Sequence, residues 1–362
     1  MNISIMSLQS YRGLNLGAQM VSGVARNFKK ISFYQPIVDI CNNTGGITNE
    51  AMNVRLTYRC GLFDLTDKTI INISGTGLYQ TLQNIFTNNV YNCSINKTQD
   101  TLLLNQEGNI LDKPTLINTG NTFKIMCKRS SVPIIKNILK DEKQIKIEDP
   151  SDFDLFALQG SWSMAGINKM YYFLNLDFRE LPNKNREFII QNDITIMRKS
   201  ITGADGFLVS IPKDKTDELF NKLLHQPNIY MTGSDALLVN KMESRMITDL
   251  EMNGEYNPIE LNQLNLVSTQ KNEFIGINGV LDMNNKFRQS KTKLMSTSFD
   301  NYNFTKKPIN IYNNEHDLIG TLKTVSYSPY LGKFKATCEI NSGVDTQFGI
   351  MDNKKIELMN IL

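Results

Sequence analysis

The chain has 362 residues, of which 41% are apolar and 21% charged, enough to bury a large core in two or more lobes. Its 39 Lys+Arg against 36 Asp+Glu leave a formal charge of only +3. That surplus is too small to neutralise a polyphosphate backbone, which excludes a protein that generally coats nucleic acid. No apolar run approaches the roughly 20 residues of a spanning helix, which excludes an integral helical membrane protein.

Residues 68–73 are rich in β-branched side chains, Gly75 interrupts them, and residues 78–90 place Leu78, Leu82, Ile85 and Phe86 on one helical stripe. A strand, a tight turn and an amphipathic helix are predicted. Strands at 101–104 and 114–117 flank a polar turn at 105–109, residues 123–127 extend the meander, and 133–139 reads as the next helix. After the charged stretch 140–154 come a short buried strand at 155–158 and a break at Gln159-Gly160. A strand at 193–197, a glycine-rich turn at 202–206, a strand at 207–211 and a helix at 216–224 follow.

Short antiparallel strands joined to helices in this way predict an α+β fold, not a doubly wound parallel sheet. From residue 284 onward helical periodicity fades. Strands at 293–298, 309–312, 318–325 and 334–340 then predict a small β-barrel. The expected organisation is an N-terminal α+β lobe over 1–140, discontinuous and packed with the next, a middle α+β lobe over 141–283, and a C-terminal barrel over 284–362.

Five cysteines, Cys41, Cys60, Cys93, Cys127 and Cys338, are scattered without a CxxC pair and read as reduced core thiols of a cytoplasmic protein. Residues 1–38 carry Arg12, Arg26, Lys29 and Lys30 but no acid before Asp39. They belong either to the fold, the expected reading, or to a transit peptide, which would make the protein mitochondrial. Two histidines, His225 and His316, are too few and too far apart to suggest a metal site.

Common catalytic motifs are missing. Gly75-Thr-Gly77 sits between strand and helix like a dinucleotide loop, but Gln80 stands where the third glycine is required, so a plain strand-to-helix turn is expected. There is no G-x-S-x-G elbow and no phosphate-binding GK[ST] loop. Triad hydrolysis and nucleotide hydrolysis are therefore not expected.

A series of short phrases instead resembles the folate-dependent aminomethyltransferase family, typified by the glycine-cleavage T-protein. They are Leu16-Gly-Ala-Gln-Met-Val21; Arg55 with Gly61-Leu-Phe-Asp64; Ile73-Ser-Gly75 with Leu82-Gln83 and Thr87-Asn-Asn-Val90; and Leu104-Asn105-Gln-Glu-Gly108-Asn-Ile-Leu-Asp112. Ala157-Leu-Gln159-Gly160, Arg198 with Thr202-Gly203-Ala-Asp-Gly206-Phe207, Phe274-Ile-Gly276, and Ile319-Gly320 with Ser328-Pro329-Tyr-Leu331 continue the order. The segment Gly108-Asn-Ile-Leu-Asp112-Lys113-Pro114 is also similar to the dimethylsulfoniopropionate demethylase branch.

The resemblance implies a three-lobed molecule whose central channel binds tetrahydrofolate. The implied activity takes a one-carbon unit, methyl or aminomethyl, from a small amine or sulfonium donor. It further implies catalytic roles for Asp112 and Lys113, and cofactor contacts from Asp100, Leu103, Asn105, Trp162, Arg198 and Leu208. A protein partner or a homodimer is compatible with it; nucleic acid and membrane are not expected.

Four positions depart from the family. Lys113 stands where a second turn carboxylate is usual, Asp100 where a tyrosine lines the folate site, and Leu208 where a glutamate grips the pterin. The segment 234–240 lacks the family's arginines and glutamate. Lys113 is open to two readings: pointing into the pocket it favours an anionic ligand, and pointing outward it is a surface lysine. The departures motivate an alternative function, a catalytically degenerate member that serves as a ligand-binding or complex-forming subunit.

Overall fold

The computed structural model describes residues 46–148, 152–300, 309–344 and 347–362. The basic segment 1–38, Cys41 and the phrase at 16–21 lie outside the described residues. Two stacked sheets and a barrel-like third make up the frame. One has six strands, in the order Phe188–Gln191, Ile194–Arg198, Gly206–Pro212, Phe153–Gln159, Cys60–Asp64 and Ile229–Thr232. Its neighbours are antiparallel except the last pair. The second has five antiparallel strands, in the order Lys97–Asp100, Thr115–Asn118, Thr122–Lys128, Lys68–Gly75 and Ile145–Glu148.

The alternation of side chains along each strand decides how these sheets stack. In the six-stranded sheet Cys60, Leu62, Phe156, Leu158, Phe207, Val209 and Ile211 point to one side, where they pack against helices Ser163–Leu174 and Lys213–Leu224. Phe63, Leu155, Ala157, Met197 and Leu208 point to the other. There they meet Ile70, Ile117 and Met126 of the five-stranded sheet. The outward residues of that second sheet, among them Ile71, Ile73, Phe123 and Ile125, are covered by helices Leu78–Ile85 and Val132–Ile138. The two sheets thus share one apolar layer, and each has its own helical cover.

The C-terminal sheet has seven strands, running from Lys354–Glu357 at one edge through Phe348–Met351, Asn310–Tyr312, Leu318–Ser328, Lys333–Asn341 and Thr292–Phe299 to Met359–Asn360 at the other. The edge strands are consecutive in the chain, so the sheet must curl until its ends meet. Thr297 Oγ1 donates to Glu357 O at 2.7 Å across that seam. The α+β fold with a barrel-like C-terminus is borne out.

Several expected boundaries shift for local reasons. The helix expected over 78–90 ends at Ile85 because Phe86 is extended, and Asn89 then accepts from Tyr91 N to open a 3₁₀ turn. The strand expected at 101–104 divides into Lys97–Asp100 and Leu103–Leu104, the latter paired with Ile110–Asp112 in a two-stranded ribbon. The described cysteines, Cys60, Cys93, Cys127 and Cys338, are buried free thiols. Burial pushes Cys60 and Cys338 up to about 12, far from a reactive thiolate.

Candidate functional site

The ribbon and the edge of the five-stranded sheet bring the predicted turn residues together. Asp112 lies opposite Leu103 in the ribbon, and Asp100 lies opposite Thr115, two residues beyond Lys113. The Asp112 carboxylate is buried and accepts three hydrogen bonds: Oδ1 accepts from Lys113 N at 2.8 Å, and Oδ2 accepts from Lys128 N at 2.8 Å and from Ser131 Oγ at 2.7 Å. These are the bonds of a carboxylate that fixes a turn. Asp112 thereby sets the direction in which Lys113 leaves the backbone.

Lys113 is half-buried and points inward, so the surface-lysine reading does not hold. Its Nζ donates to Gln263 Oε1 at 3.0 Å, across 150 residues of sequence. Burial pushes its ammonium down to about 8; Asp100 opposes this, while the like charges of Lys199, Lys241 and Lys68 reinforce it. An ammonium has three N–H donors, and among the described residues Gln263 is the only acceptor given to this one.

The neighbouring charges are better matched. Lys199 Nζ pairs with Asp100 Oδ1, which also accepts from Thr115 Oγ1 at 2.8 Å. Burial would raise the Asp100 carboxyl, yet Lys199, Lys113 and the Thr115 hydroxyl hold it below its ordinary value. Lys241 donates to Asp249 Oδ2 at 3.1 Å, and Lys68 stands 3.6 Å from Asp249 Oδ1. Lys128 Nζ closes this side with bonds to Met252 O at 2.7 Å and Leu111 O at 3.3 Å. Burial alone would raise the Asp249 carboxyl, but Lys241, Lys68 and Lys128 drive it well below the usual carboxylate range. Asp249 Oδ1 still receives no hydrogen bond.

Lys199 reaches Asp100 because Gln159 holds its loop. The Gln159 amide donates to Lys199 O at 3.0 Å, and its oxygen accepts from Ile201 N at 3.0 Å and Thr202 Oγ1 at 3.2 Å. This amide lies over Gly206, where a Cβ would come within 2.2 Å of Gln159 Nε2. The phrases Gln159-Gly160 and Thr202 to Gly206 are therefore two halves of one clamp.

The other predicted residues have separate surroundings. The Arg198 guanidinium donates to Asn183 O at 2.9 Å and Asp205 Oδ2 at 2.7 Å and stacks over Phe207, whose ring belongs to the helix-covered side of the sheet. Trp162 packs on that same side, edge-on to Tyr58 at 5.3 Å. Asn105 closes its own turn, accepting from Asn109 N at 2.8 Å. Leu103 is fully buried in the core under the outer helices of the five-stranded sheet, and Leu208 is fully buried in the layer shared by the two sheets.

Sequence reasoning missed Lys68, Lys199, Lys241, Asp249 and Gln263. One signal was legible: Lys241 interrupts the apolar run of helix Ser234–Glu243, and it is 7% exposed. The same helix ends in Glu243, which takes Arg55 Nε at 2.7 Å and Ser328 Oγ at 2.7 Å. Arg55 also donates to Thr202 O, Asn240 O and Ser244 Oγ at 2.8–2.9 Å. An arginine–glutamate pair thus exists here, built from Arg55 and from Glu243, three residues beyond the segment 234–240.

Comparison with known proteins supplies a name for this arrangement. The GCVT N-terminal domain matches residues 12–271. The aminomethyltransferase of Aquifex aeolicus is 27% identical over 298 residues, covering 82% of this chain and 79% of that protein. That of Chloroherpeton thalassium is 24% identical over 319 residues, covering 81% and 82%. Among solved structures, the glycine cleavage system aminomethyltransferase T of Bartonella henselae superposes with a TM-score of 0.72 at 17% identity, covering 90% of this chain and 96% of that one. That likeness extends through the barrel-like sheet. With a family domain matched over far more than half its length and this shared fold, the chain belongs to the GCVT, or aminomethyltransferase, family.

Proposed function

We propose that the chain transfers a one-carbon unit, methyl or aminomethyl, from a small donor to tetrahydrofolate. What supports this reading is the family match over residues 12–271 together with the inward-facing charge group around Lys113, in which Asp249 Oδ1 has the Lys68 ammonium at 3.6 Å and no closer donor among the described residues. A pterin presents an amino edge that needs an acceptor of this kind. Leu208, where the family has its glutamate, cannot accept a hydrogen bond, so on this reading Asp249 takes over that contact. When bound, tetrahydrofolate supplies the nucleophilic nitrogen that receives the carbon unit. The chain's own residues hold the ligands: Asp112 fixes the turn, Lys113 faces the donor, and Asp100 with Lys199 braces it.

Calorimetry tests this directly. Micromolar binding of tetrahydrofolate, weakened about tenfold or more in Asp249→Asn, is expected from the loss of one charge-assisted bond. No heat at millimolar ligand would sink the reading.

A second reading, in which the scaffold binds ligand or a partner without turnover, is favoured by a different observation. Asp112 accepts from two backbone N–H groups and the Ser131 hydroxyl, the bonding of a carboxylate that holds a turn in place. Tetrahydrofolate binding without methyl or methylene transfer from any amine or sulfonium would assign the chain to this class, and a stable oxidoreductase or carrier recovered by pull-down would name its role. A cytoplasmic setting is proposed from the buried free thiols. No helix of the described residues is long and apolar enough to cross a membrane.

A further inference from the structure

We propose that Lys113, backed by Lys199, Lys241 and Lys68, forms a seat for the carboxylate or phosphate group of a small anionic ligand. Assigning that anion to the one-carbon donor rests on the transferase reading; the seat itself does not. Three observations lead to it.

The first is the charge balance. Lys113 is acted on by the ammoniums of Lys199, Lys241 and Lys68. The carboxylates paired to this group are Asp100, on Lys199, and Asp249, on Lys241 and Lys68. Four cations against two anions leave a local net charge of +2. Asp112 and Lys128 lie alongside and cancel each other. Asp67 also acts on Lys68, from an exposed turn, and brings the net charge of the group to +1. A half-buried surplus of this size is unfavourable on its own, and a bound anion relieves it.

The second is unfilled bonding capacity. Lys199, Lys241 and Lys68 each have a carboxylate within ion-pair distance, whereas Lys113 donates only to a neutral amide. Two of its N–H donors have no acceptor among the described residues, and a carboxylate or phosphate oxygen is what an ammonium in that state binds.

The third is positioning. Gln263 is almost fully buried, and its amide nitrogen is directed to Leu261 O at 3.3 Å and Leu362 O at 3.3 Å. That orientation presents Oε1, not Nε2, to Lys113. The backbone bond from Lys113 N to Asp112 fixes the other end of the side chain. Lys113 is therefore held in place at both ends while staying half-buried, not sealed.

A cationic amine or sulfonium meets repulsion in this seat. A donor that carries its own carboxylate or phosphate is accommodated, with its anionic group on Lys113 and its reacting end directed away.

The test uses the full chain and two probes, inorganic phosphate and acetate, titrated by calorimetry at pH 7 and constant ionic strength. Saturable binding of at least one probe is expected, reduced about ten- to hundredfold in Lys113→Gln and largely retained in Lys113→Arg. Lys113→Arg guards against a folding defect, because it keeps the charge at the same position. Affinity is expected to fall as pH rises through about 8, where Lys113 loses its proton. Absence of saturable binding for both anions, or equal binding by wild type and Lys113→Gln, overturns the proposal.

Competition identifies the source of the anion. If tetrahydrofolate displaces the probe, the seat holds the carboxylates of the folate tail; if both bind together, it holds the donor. Because the anion titrations contain no folate, failure of the folate reading and failure of the seat are separate results.

Discussion

Two groups of inward-facing charge lie in this molecule, and they are built in opposite ways. At the end of helix Ser234–Glu243, Arg55 is matched in charge: Glu243 takes its Nε, and two backbone carbonyls and a serine gather around one of its terminal nitrogens. Ser328 of the barrel completes the other carboxylate oxygen. Around Lys113 there are more ammoniums than carboxylates, and among the described residues this lysine has two donors without an acceptor, while Asp249 Oδ1 meets only the Lys68 ammonium at 3.6 Å. The first group pairs one arginine with one glutamate and ties helix Gly46–Arg55, the loop at Thr202 and the barrel together. The second is incomplete in both signs. Saturated charge marks structure here, and unsaturated charge marks a place where something binds.

The largest expected effect attacks the saturated group. Arg55→Ala leaves Glu243 without its cation and should cost about 3–5 kcal/mol in denaturant unfolding. The double variant Arg55→Met with Glu243→Met should recover much of that loss. A single variant costing under about 1 kcal/mol would mean that the pair is exposed to solvent in practice and that the contrast is false.

Next comes Leu208, fully buried in the layer shared by the two sheets. Leu208→Glu places a carboxylate in a wholly apolar cluster, and should destabilise by about 3 kcal/mol or more. Near-normal stability together with tighter tetrahydrofolate binding would show that this position faces an open channel.

Asp112→Asn should cost about 2 kcal/mol, because an amide cannot replace a carboxylate that accepts from two backbone N–H groups and a hydroxyl. If stability is unchanged but transfer is lost, Asp112 is a catalytic residue and not a turn anchor.

The smallest effect has the opposite sign. Lys113→Met removes a charge whose burial is unfavourable, leaves Gln263 Oε1 unpaired, and should stabilise the ligand-free protein by about 1 kcal/mol at pH 7. The lysine is pushed below its ordinary value, from 10.5 to about 8. Its cost is therefore fully present below pH 8 and relieved between about 8 and 10.5, as the folded state sheds the proton first. The melting temperatures of wild type and variant should converge over that interval. A variant less stable than wild type at pH 7 would show that Lys113 is a satisfied structural cation.

Much of the frame could be read from the chain. The strands Lys68–Gly75, Thr122–Lys128, Phe153–Gln159 and Gly206–Pro212 carry their own pattern, because a half-buried strand alternates and a fully buried one is continuously apolar. The barrel announced itself by strands without helical periodicity, and the phrases at 159–160 and 202–206 mark a real contact, the clamp of Gln159 on Gly206 and Thr202. The helix Ser163–Leu174 is hard to read from the chain because it begins directly after a glycine break, and Ser234–Glu243 because a buried lysine and asparagine interrupt its apolar face.

The site was much less legible. Sequence alone fixed that a lysine follows Asp112 and that residue 208 cannot accept a hydrogen bond, since these are properties of single residues. It pointed to Arg198, whereas the neighbouring Lys199 is the residue that meets Asp100, because adjacent residues leave a strand end in different directions. Arg55 finds Glu243 across 188 residues and Lys113 finds Gln263 across 150. No local period records such meetings. They are decided by which faces of the sheets pack together, and so the balance between matched and surplus charge became visible only in the folded molecule.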